Sequence, residues 1–191
     1  MNCFYIFIFV LTGLLFTSCQ KEIPPETEIG LAKKGPTFEA KVNGKLTTFN
    51  VFAATLLRIS ASNTKRFEIA GISDDGSQRL VLTLSDSPAA GNNITVKEYQ
   101  LRLFNQDDPT TPVDESINSN DGFITYSTLS GNNNWTTDLY AENGVIKITA
   151  CNANARKITG TFTVKDSSLT GGPVVHFTEG KFTALSYEVL N

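Results

Sequence analysis

Apolar and polar residues alternate with a period of two along most of the chain, a pattern typical of half-buried β-strands. The first such stretch sets Phe38, Ala40 and Val42 on one face. Asn43-Gly44 follows, and this dipeptide readily adopts the positive φ values that a two-residue hairpin turn requires. We therefore predict a hairpin whose return strand covers about residues 46–57.

The same alternation returns in later segments, which are separated by clusters of Gly, Pro, Asn, Asp and Ser. The predicted strands are residues 66–73, 78–84, 94–104, 122–129, 135–140, 145–151, 157–164 and 174–187. In the last of them Gly180 fits either a hairpin turn or a bulge in one long strand, and both remain open. We predict an all-β fold, an antiparallel sandwich or barrel of about nine to ten strands.

The start of the chain has the pattern of a targeting segment. Residues 4–16 form an uncharged apolar run that is shorter than the roughly 20 residues of a membrane-spanning helix, which is typical of a signal peptide. Phe16-Thr17-Ser18-Cys19 resembles a bacterial lipobox, in which the Cys thiol accepts lipid. We predict a lipoprotein signal peptide over residues 1–18, a lipid-anchored flexible tether over 19–36 and a single β domain over 37–191.

Acyl chains such as palmitate on Cys19 would hold the protein on a membrane without a spanning segment. Gln20-Lys21-Glu22 resembles the short signal that sends Bacteroidota lipoproteins to the outer face of the outer membrane. We therefore expect an outer-membrane protein on the cell surface, with a periplasm-facing position as the alternative. An ordinary secretory signal, with Cys19 as an idle thiol, is the alternative to lipidation.

The net charge argues against nucleic acid as a partner, and the cysteine count argues against an intrachain disulfide. The formal net charge is −3, from 16 basic and 19 acidic residues, so no basic excess is available to bind nucleic acid. Cys3 would leave with the signal and Cys19 would carry lipid, so Cys151 would be the remaining thiol and no intrachain disulfide could form. Its apolar surroundings predict a buried or half-buried side chain.

The strand pattern resembles that of an uncharacterised Bacteroidota lipoprotein family that is described as a domain of unknown function. The stretches that carry the resemblance are residues 38–44, 144–149 and 158–162, then Val175 and residues 177–182. The resemblance implies a secreted, lipid-anchored β domain. It implies no catalytic or binding residues, because none is assigned in that family.

The residues that most often carry chemistry are scarce in this sequence. His176 is the single histidine, and alternation with Val175 and Phe177 predicts that it points to solvent. A zinc site needs three or four ligands, and the acids of residues 107–121 lack the alternating spacing that wraps one Ca²⁺. We predict no catalytic residue, no metal site and no cofactor.

The segment around Trp135 is the best candidate in the sequence for a ligand-binding site. An exposed indole can stack on the apolar face of a sugar while neighbouring amides bind its hydroxyls. The residues of this hypothetical ligand site are Trp135, Asn132, Asn133, Asn134 and Tyr140. We favour the alternative, in which Trp135 fills the core and the asparagines form a turn with left-handed backbone geometry.

The leading functional hypothesis is a noncatalytic binding or interaction module. Its ligand would be a glycan, a small apolar molecule inside a barrel, or another envelope protein. One alternative is a carboxylate-dependent hydrolase, which needs two carboxylates converging in a cleft with one of them desolvated. The other is a purely structural envelope protein, for which we expect neither a concave pocket nor an exposed apolar patch.

Overall fold

The chain is built almost entirely of β-strands over the residues that the structure, a computed structural model, describes: 35–101, 121–141, 143–166 and 174–190. The strands are β1 (Thr37–Val42), β2 (Lys45–Ile59), β3 (Thr64–Ser73), β4 (Gln78–Asp86), β5 (Glu98–Leu101), β6 (Asp121–Leu129), β7 (Trp135–Tyr140), β8 (Asn143–Asn152), β9 (Lys157–Asp166), β10 (Phe177–Ser186) and β11 (Glu188–Leu190). A short 3₁₀ turn, Ser60–Ser62, joins β2 to β3. The predicted all-β class is confirmed.

Nine of these strands close into a barrel in the order β1, β10, β9, β8, β5, β6, β4, β3, β2, and β2 pairs back to β1. The remaining two extend it, because β7 pairs with β6 and β11 pairs with β2. Of the two predicted architectures, the barrel is therefore the one formed. The sheet differs from the prediction in being mixed, since β5 is parallel to β6 and β11 is parallel to β2.

The first predicted hairpin is confirmed. Asn43 and Gly44 have φ values of 50° and 82°, and Val42 pairs with Lys45 across the turn. Two successive residues with positive φ match the right-handed twist of the flanking strands. A second hairpin joins β3 to β4 and turns through Asp74–Ser77, the gap between the strands predicted over residues 66–73 and 78–84.

The structure decides the alternatives at Gly180 in favour of a bulge. β10 runs without interruption through this residue, and its register against β9 shifts between Phe177 and Gly180. Glu179 takes the positive φ of 52° that the irregularity requires. A single bulged strand, not a hairpin, therefore follows β9.

The barrel interior is filled with side chains. Phe38 lies with its ring centroid 5.5 Å from that of Phe49 and 6.1 Å from that of Phe162. The largest fully buried side chains are Tyr99, Phe38, Phe67, Phe162, Phe177, Phe182, Leu56, Ile69, Leu80, Leu82, Leu84 and Ile94. This close packing disfavours an apolar ligand inside the barrel and directs attention to its ends and outer surface.

Candidate functional site

Trp135 lies on the surface. The residue is 38% exposed, and it stands opposite Leu129, which is also exposed, where the turn from β6 enters β7. The expectation that Trp135 fills the core is therefore wrong. The physical reason is that β7 lies off the closed ring of strands, so its first residue has no barrel interior to enter.

The asparagines before Trp135 form a tight exposed turn. Asn133 has a φ of 57°, the left-handed geometry that was expected for this run. The turn is held by two backbone hydrogen bonds, from Ser130 N to Asn134 O at 2.8 Å and from Asn133 N to Ser130 O at 3.0 Å. Asn132, Asn133 and Asn134 are all exposed and directly precede Trp135 in the chain.

Some of the other residues singled out in the sequence lie in the described part of the structure, and others lie outside it. Tyr140 pairs with Thr125 through the backbone, and its side chain lies outside what the structure describes. Cys19 and the acidic residues 107–120 also lie outside the described residues. His176 is exposed, as predicted, and Cys151 is half-buried against the core, also as predicted. Within the described ranges no group of three or more His, Cys, Asp or Glu side chains is placed to hold a metal ion.

One end of the barrel contains a buried ion cluster that sequence reasoning missed. Asp86 ends β4 opposite Lys65 of β3, and the two side chains are 0% and 3% exposed. The Lys65 Nζ to Asp86 Oδ2 distance is 3.6 Å, and Lys97 Nζ lies 3.0 Å from Asp86 Oδ1. Thr95 donates two further hydrogen bonds to Asp86 Oδ2, from its backbone N–H at 2.9 Å and its hydroxyl at 2.8 Å.

These donors fix the ionisation state of the buried groups. Burial alone raises the pKa of Asp86, but the hydrogen bonds from Thr95 and Lys97 outweigh burial, and the net pKa lies below the ordinary value. Burial, followed by the nearby Asp86 charge, raises the pKa of Tyr99, whose hydroxyl donates to Thr95 O at 3.0 Å. Asp86 is therefore a carboxylate and Tyr99 a neutral phenol at neutral pH.

The ion cluster holds residues 87–97, here called the plug loop, against this end of the barrel. Lys65 Nζ donates to Asn93 O at 2.8 Å, and the Ile94 N–H donates to Cys151 Sγ at 3.4 Å. The Tyr187 hydroxyl and the Arg58 guanidinium both donate to Asn92. Ile94 of this loop, only 1% exposed, packs into the hydrophobic core of the barrel. The partners of Asp86 are ammonium groups and not a second carboxylate, so this cluster lacks the arrangement that a carboxylate-dependent hydrolase needs.

The opposite end of the barrel opens into a cavity of about 240 Å³, here called the polar mouth. Its lining residues are Lys45, Leu46, Thr47, Thr48, Ser73, Asp74, Asp75 and Gln78. Asp75 Oδ1 accepts hydrogen bonds from the Ser73 hydroxyl at 2.5 Å, the Ser77 hydroxyl at 2.7 Å and the Ser77 N–H at 3.0 Å. These bonds, with the Ser73 hydroxyl as the main cause, lower the pKa of Asp75 to about 2.

A second concavity, of about 350 Å³, lies on the outer surface between the middle of β2 and the start of β11. Phe52 on its rim is 55% exposed, and the Arg79 guanidinium lies 5.5 Å from the centre of its ring. Concave and apolar surface is thus present, contrary to what a purely structural envelope protein was expected to show.

A model for a domain of unknown function, DUF6252, matches residues 34–186, which include nearly all of the described barrel. The chain belongs to the DUF6252 family. Comparison with curated proteins and with solved structures gave no match. The predicted resemblance to a domain of unknown function is thereby confirmed, while the Bacteroidota origin and the lipid anchor of this DUF6252 chain stay predictions.

Proposed function

We propose that this DUF6252 protein is a lipid-anchored outer-membrane lipoprotein whose barrel is a noncatalytic binding module for a glycan. The observation that carries the proposal is the exposed indole of Trp135 next to the exposed turn of Asn132, Asn133 and Asn134. An exposed aromatic face and exposed amide groups close to it in the chain supply the two kinds of contact that a sugar ring uses. The filled barrel interior supports a ligand site on the outer surface.

The geometry of the turn favours a ligand-binding role for this segment over the chance exposure of one aromatic side chain. The two backbone hydrogen bonds across residues 130–134 hold the asparagine backbone in one conformation, so less entropy is lost when a ligand binds. Leu129, directly opposite Trp135, widens the apolar surface that a sugar ring would cover. The site is therefore a small, preorganised platform.

Trp135 is the sole tryptophan, so its fluorescence reports on this site alone. We expect acrylamide to quench the emission readily, and one class in a panel of cello-, xylo-, manno- and chito-oligosaccharides to shift it. Calorimetry with that oligosaccharide should show binding that is lost in Trp135→Ala and kept in Phe52→Ala, the matched change at another exposed aromatic residue of the described part of the chain. An unquenched emission, or a panel without any shift, would contradict the glycan proposal.

The lipid anchor is supported by the apolar run of residues 4–16 and by Cys19 directly after small residues. In the described ranges no helix is long and apolar enough to cross a membrane. We expect Cys19→Ser to move the protein from the membrane fraction to the soluble fraction of the host cell, because it removes the lipid acceptor. Cys3→Ser is the matched control and should leave the protein in the membrane fraction. Unchanged partitioning of Cys19→Ser would refute the anchor.

A further inference from the structure

Arg79 is an arginine of the outer surface that has no ion-pair partner among the described residues. It is half-buried in β4, and its guanidinium carbon lies 5.5 Å from the centre of the Phe52 ring. Of its three side-chain nitrogens, only Nε is both buried and without a hydrogen-bond partner. The two terminal nitrogens, to which no described residue is bonded either, therefore keep contact with solvent. The guanidinium is held by an aromatic ring, and its terminal N–H groups are available to a ligand.

Strand pairing places Arg79 on the same face of the sheet as Trp135. Arg79 is the partner of Ser127 in β6, and Ser127 is the partner of Thr137 in β7. Leu129 and Trp135 form the next outward-facing pair, two residues away on the same two strands. Paired residues share a face of a sheet, and so do residues two apart on one strand. Two strand spacings and two residues along the strand separate Trp135 from Arg79, which is about 12 Å between their Cα atoms.

The surface between Trp135 and Arg79 is polar and carries one sign of charge. The Ser127 hydroxyl donates to the Thr137 hydroxyl at 3.3 Å, midway between the two strands. Arg79 is the one charged residue in the outward-facing row that crosses from β7 to β2, which consists of Thr137, Ser127, Arg79, Ile72 and Asn50. An anionic group above this row would meet the guanidinium without a carboxylate of the row beside it.

We infer that the glycan bound at Trp135 is acidic and that Arg79 binds its carboxylate or sulfate group; this inference rests on the glycan proposal. A guanidinium presents N–H donors in one plane, which match two oxygens of such a group. The Phe52 ring holds the guanidinium before the ligand arrives, so less side-chain entropy is lost on binding. A neutral sugar would stack on the indole and leave the arginine without a counter-ion.

Calorimetry with two acidic probes tests the charge: oligogalacturonate, which carries carboxylates, and carrageenan oligosaccharides, which carry sulfates. Each probe is compared with its neutral counterpart, made by methyl esterification or by desulfation. We expect at least one acidic probe to bind about tenfold or more tightly than its neutral counterpart, the effect of a charge-assisted hydrogen bond, and the difference to shrink as salt is added. Acidic probes that bind no more tightly than their neutral counterparts would overturn the inference, while binding of a neutral oligosaccharide would leave the glycan proposal standing.

Variants then assign the preference to one residue. Arg79→Met should abolish the preference for the acidic probe and leave the affinity of the neutral counterpart unchanged, and Phe52→Ala should weaken the acidic probe alone. Arg66→Met is the matched control, because it removes another half-buried arginine, whose partner Ser85 lies six residues, about 20 Å, from Arg79 along β4. It should change neither affinity. A preference that survives Arg79→Met would overturn the inference.

Trp135→Ala separates failure of this inference from failure of the glycan proposal. We expect it to abolish binding of the acidic probe and of its neutral counterpart alike, because both stack on the indole. If the acidic probe still binds Trp135→Ala and loses binding in Arg79→Met, the glycan site at Trp135 is refuted and the inference falls with it, although Arg79 then binds anions by itself. If neither acidic probe binds the unmodified chain, the inference is overturned whatever the neutral panel shows.

Discussion

Replacing Asp86 with asparagine is expected to lower the free energy of unfolding by about 3–5 kcal/mol, which is the usual cost of removing one partner from a buried ion pair. Lys65, 3% exposed in its side chain, would keep its charge without the carboxylate that offsets it. Lys97 is 29% exposed and can regain water, so the buried lysine carries most of the effect. Urea unfolding of the unmodified protein and of Asp86→Asn measures the difference in the free energy of unfolding.

Two further variants test that explanation. Glu98→Gln breaks the Lys147–Glu98 pair, in which both side chains are 52% exposed, and should cost less than about 1 kcal/mol. Lys65→Met combined with Asp86→Asn removes both charges of the pair and keeps an amide oxygen as an acceptor for Thr95, so it should recover most of the stability that Asp86→Asn alone loses. A double variant no more stable than Asp86→Asn would show that the ion pair is not the cause.

The same carboxylate predicts how stability depends on pH. Because the folded-state pKa of Asp86 lies below the ordinary value of about 4, its contribution is complete above that pH and is lost as the pH falls through the folded-state pKa. The unmodified chain should therefore lose stability more steeply below about pH 4 than Asp86→Asn. If the unmodified protein and Asp86→Asn lost stability equally steeply as the pH falls, the lowered pKa assigned to Asp86 would be contradicted.

Replacing Gly160 with alanine is expected to cost about 3 kcal/mol, the upper end of the usual range for an overfilled core. Gly160 lies opposite Phe182, and a Cβ there would overlap the Phe182 ring and approach Lys147 O to 2.5 Å. The carbonyl belongs to β8, which is paired on both sides, so the backbone has little freedom to move away. Thermal and urea unfolding measure the change.

Gly131→Ala is the matched control, because no atom lies within 4 Å of a Cβ at that position. It should change the free energy of unfolding by less than about 0.5 kcal/mol. Gly180→Ala should resemble Gly160→Ala, since its Cβ would lie 2.5 Å from the ring of Phe162 on the opposite strand. Similar stabilities of Gly160→Ala and Gly131→Ala would contradict the packing described for this strand pair.

Sequence reasoning succeeded where the determinant is local. The turn after Val42 follows from Asn43-Gly44, because these two residues adopt positive φ at little cost whatever the rest of the chain does. The outward direction of His176 follows from alternation with its buried neighbours Val175 and Phe177. These features require no knowledge of which strands are neighbours.

It failed where the outcome depends on how distant strands meet. Alternation does not encode strand direction, so the parallel pairing of β5 with β6 leaves no local signal. Trp135 is apolar enough for a core, yet the strand that it begins lies outside the closed ring. Its exposure follows from topology and not from its own hydrophobicity.

The buried ion cluster did leave a signal that pattern reading can use. Lys65 occupies the same alternating positions as Phe67 and Ile69, and Asp86 follows Leu82 and Leu84 in the same way. A charge at an inward-facing position of two neighbouring strands predicts a buried pair.

The position of β1 determines how the domain responds to a force that pulls on the chain just before this strand. Glu39 pairs with Lys181 of β10 on one side and with Thr48 of β2 on the other, so the strand has hydrogen-bonded neighbours along both edges. Gly35 and Pro36 lead directly into it. A pull along the chain at Gly35 therefore shears two ladders simultaneously instead of peeling one bond at a time. We therefore expect β1 to resist extraction along its own axis better than a strand that is paired along one edge.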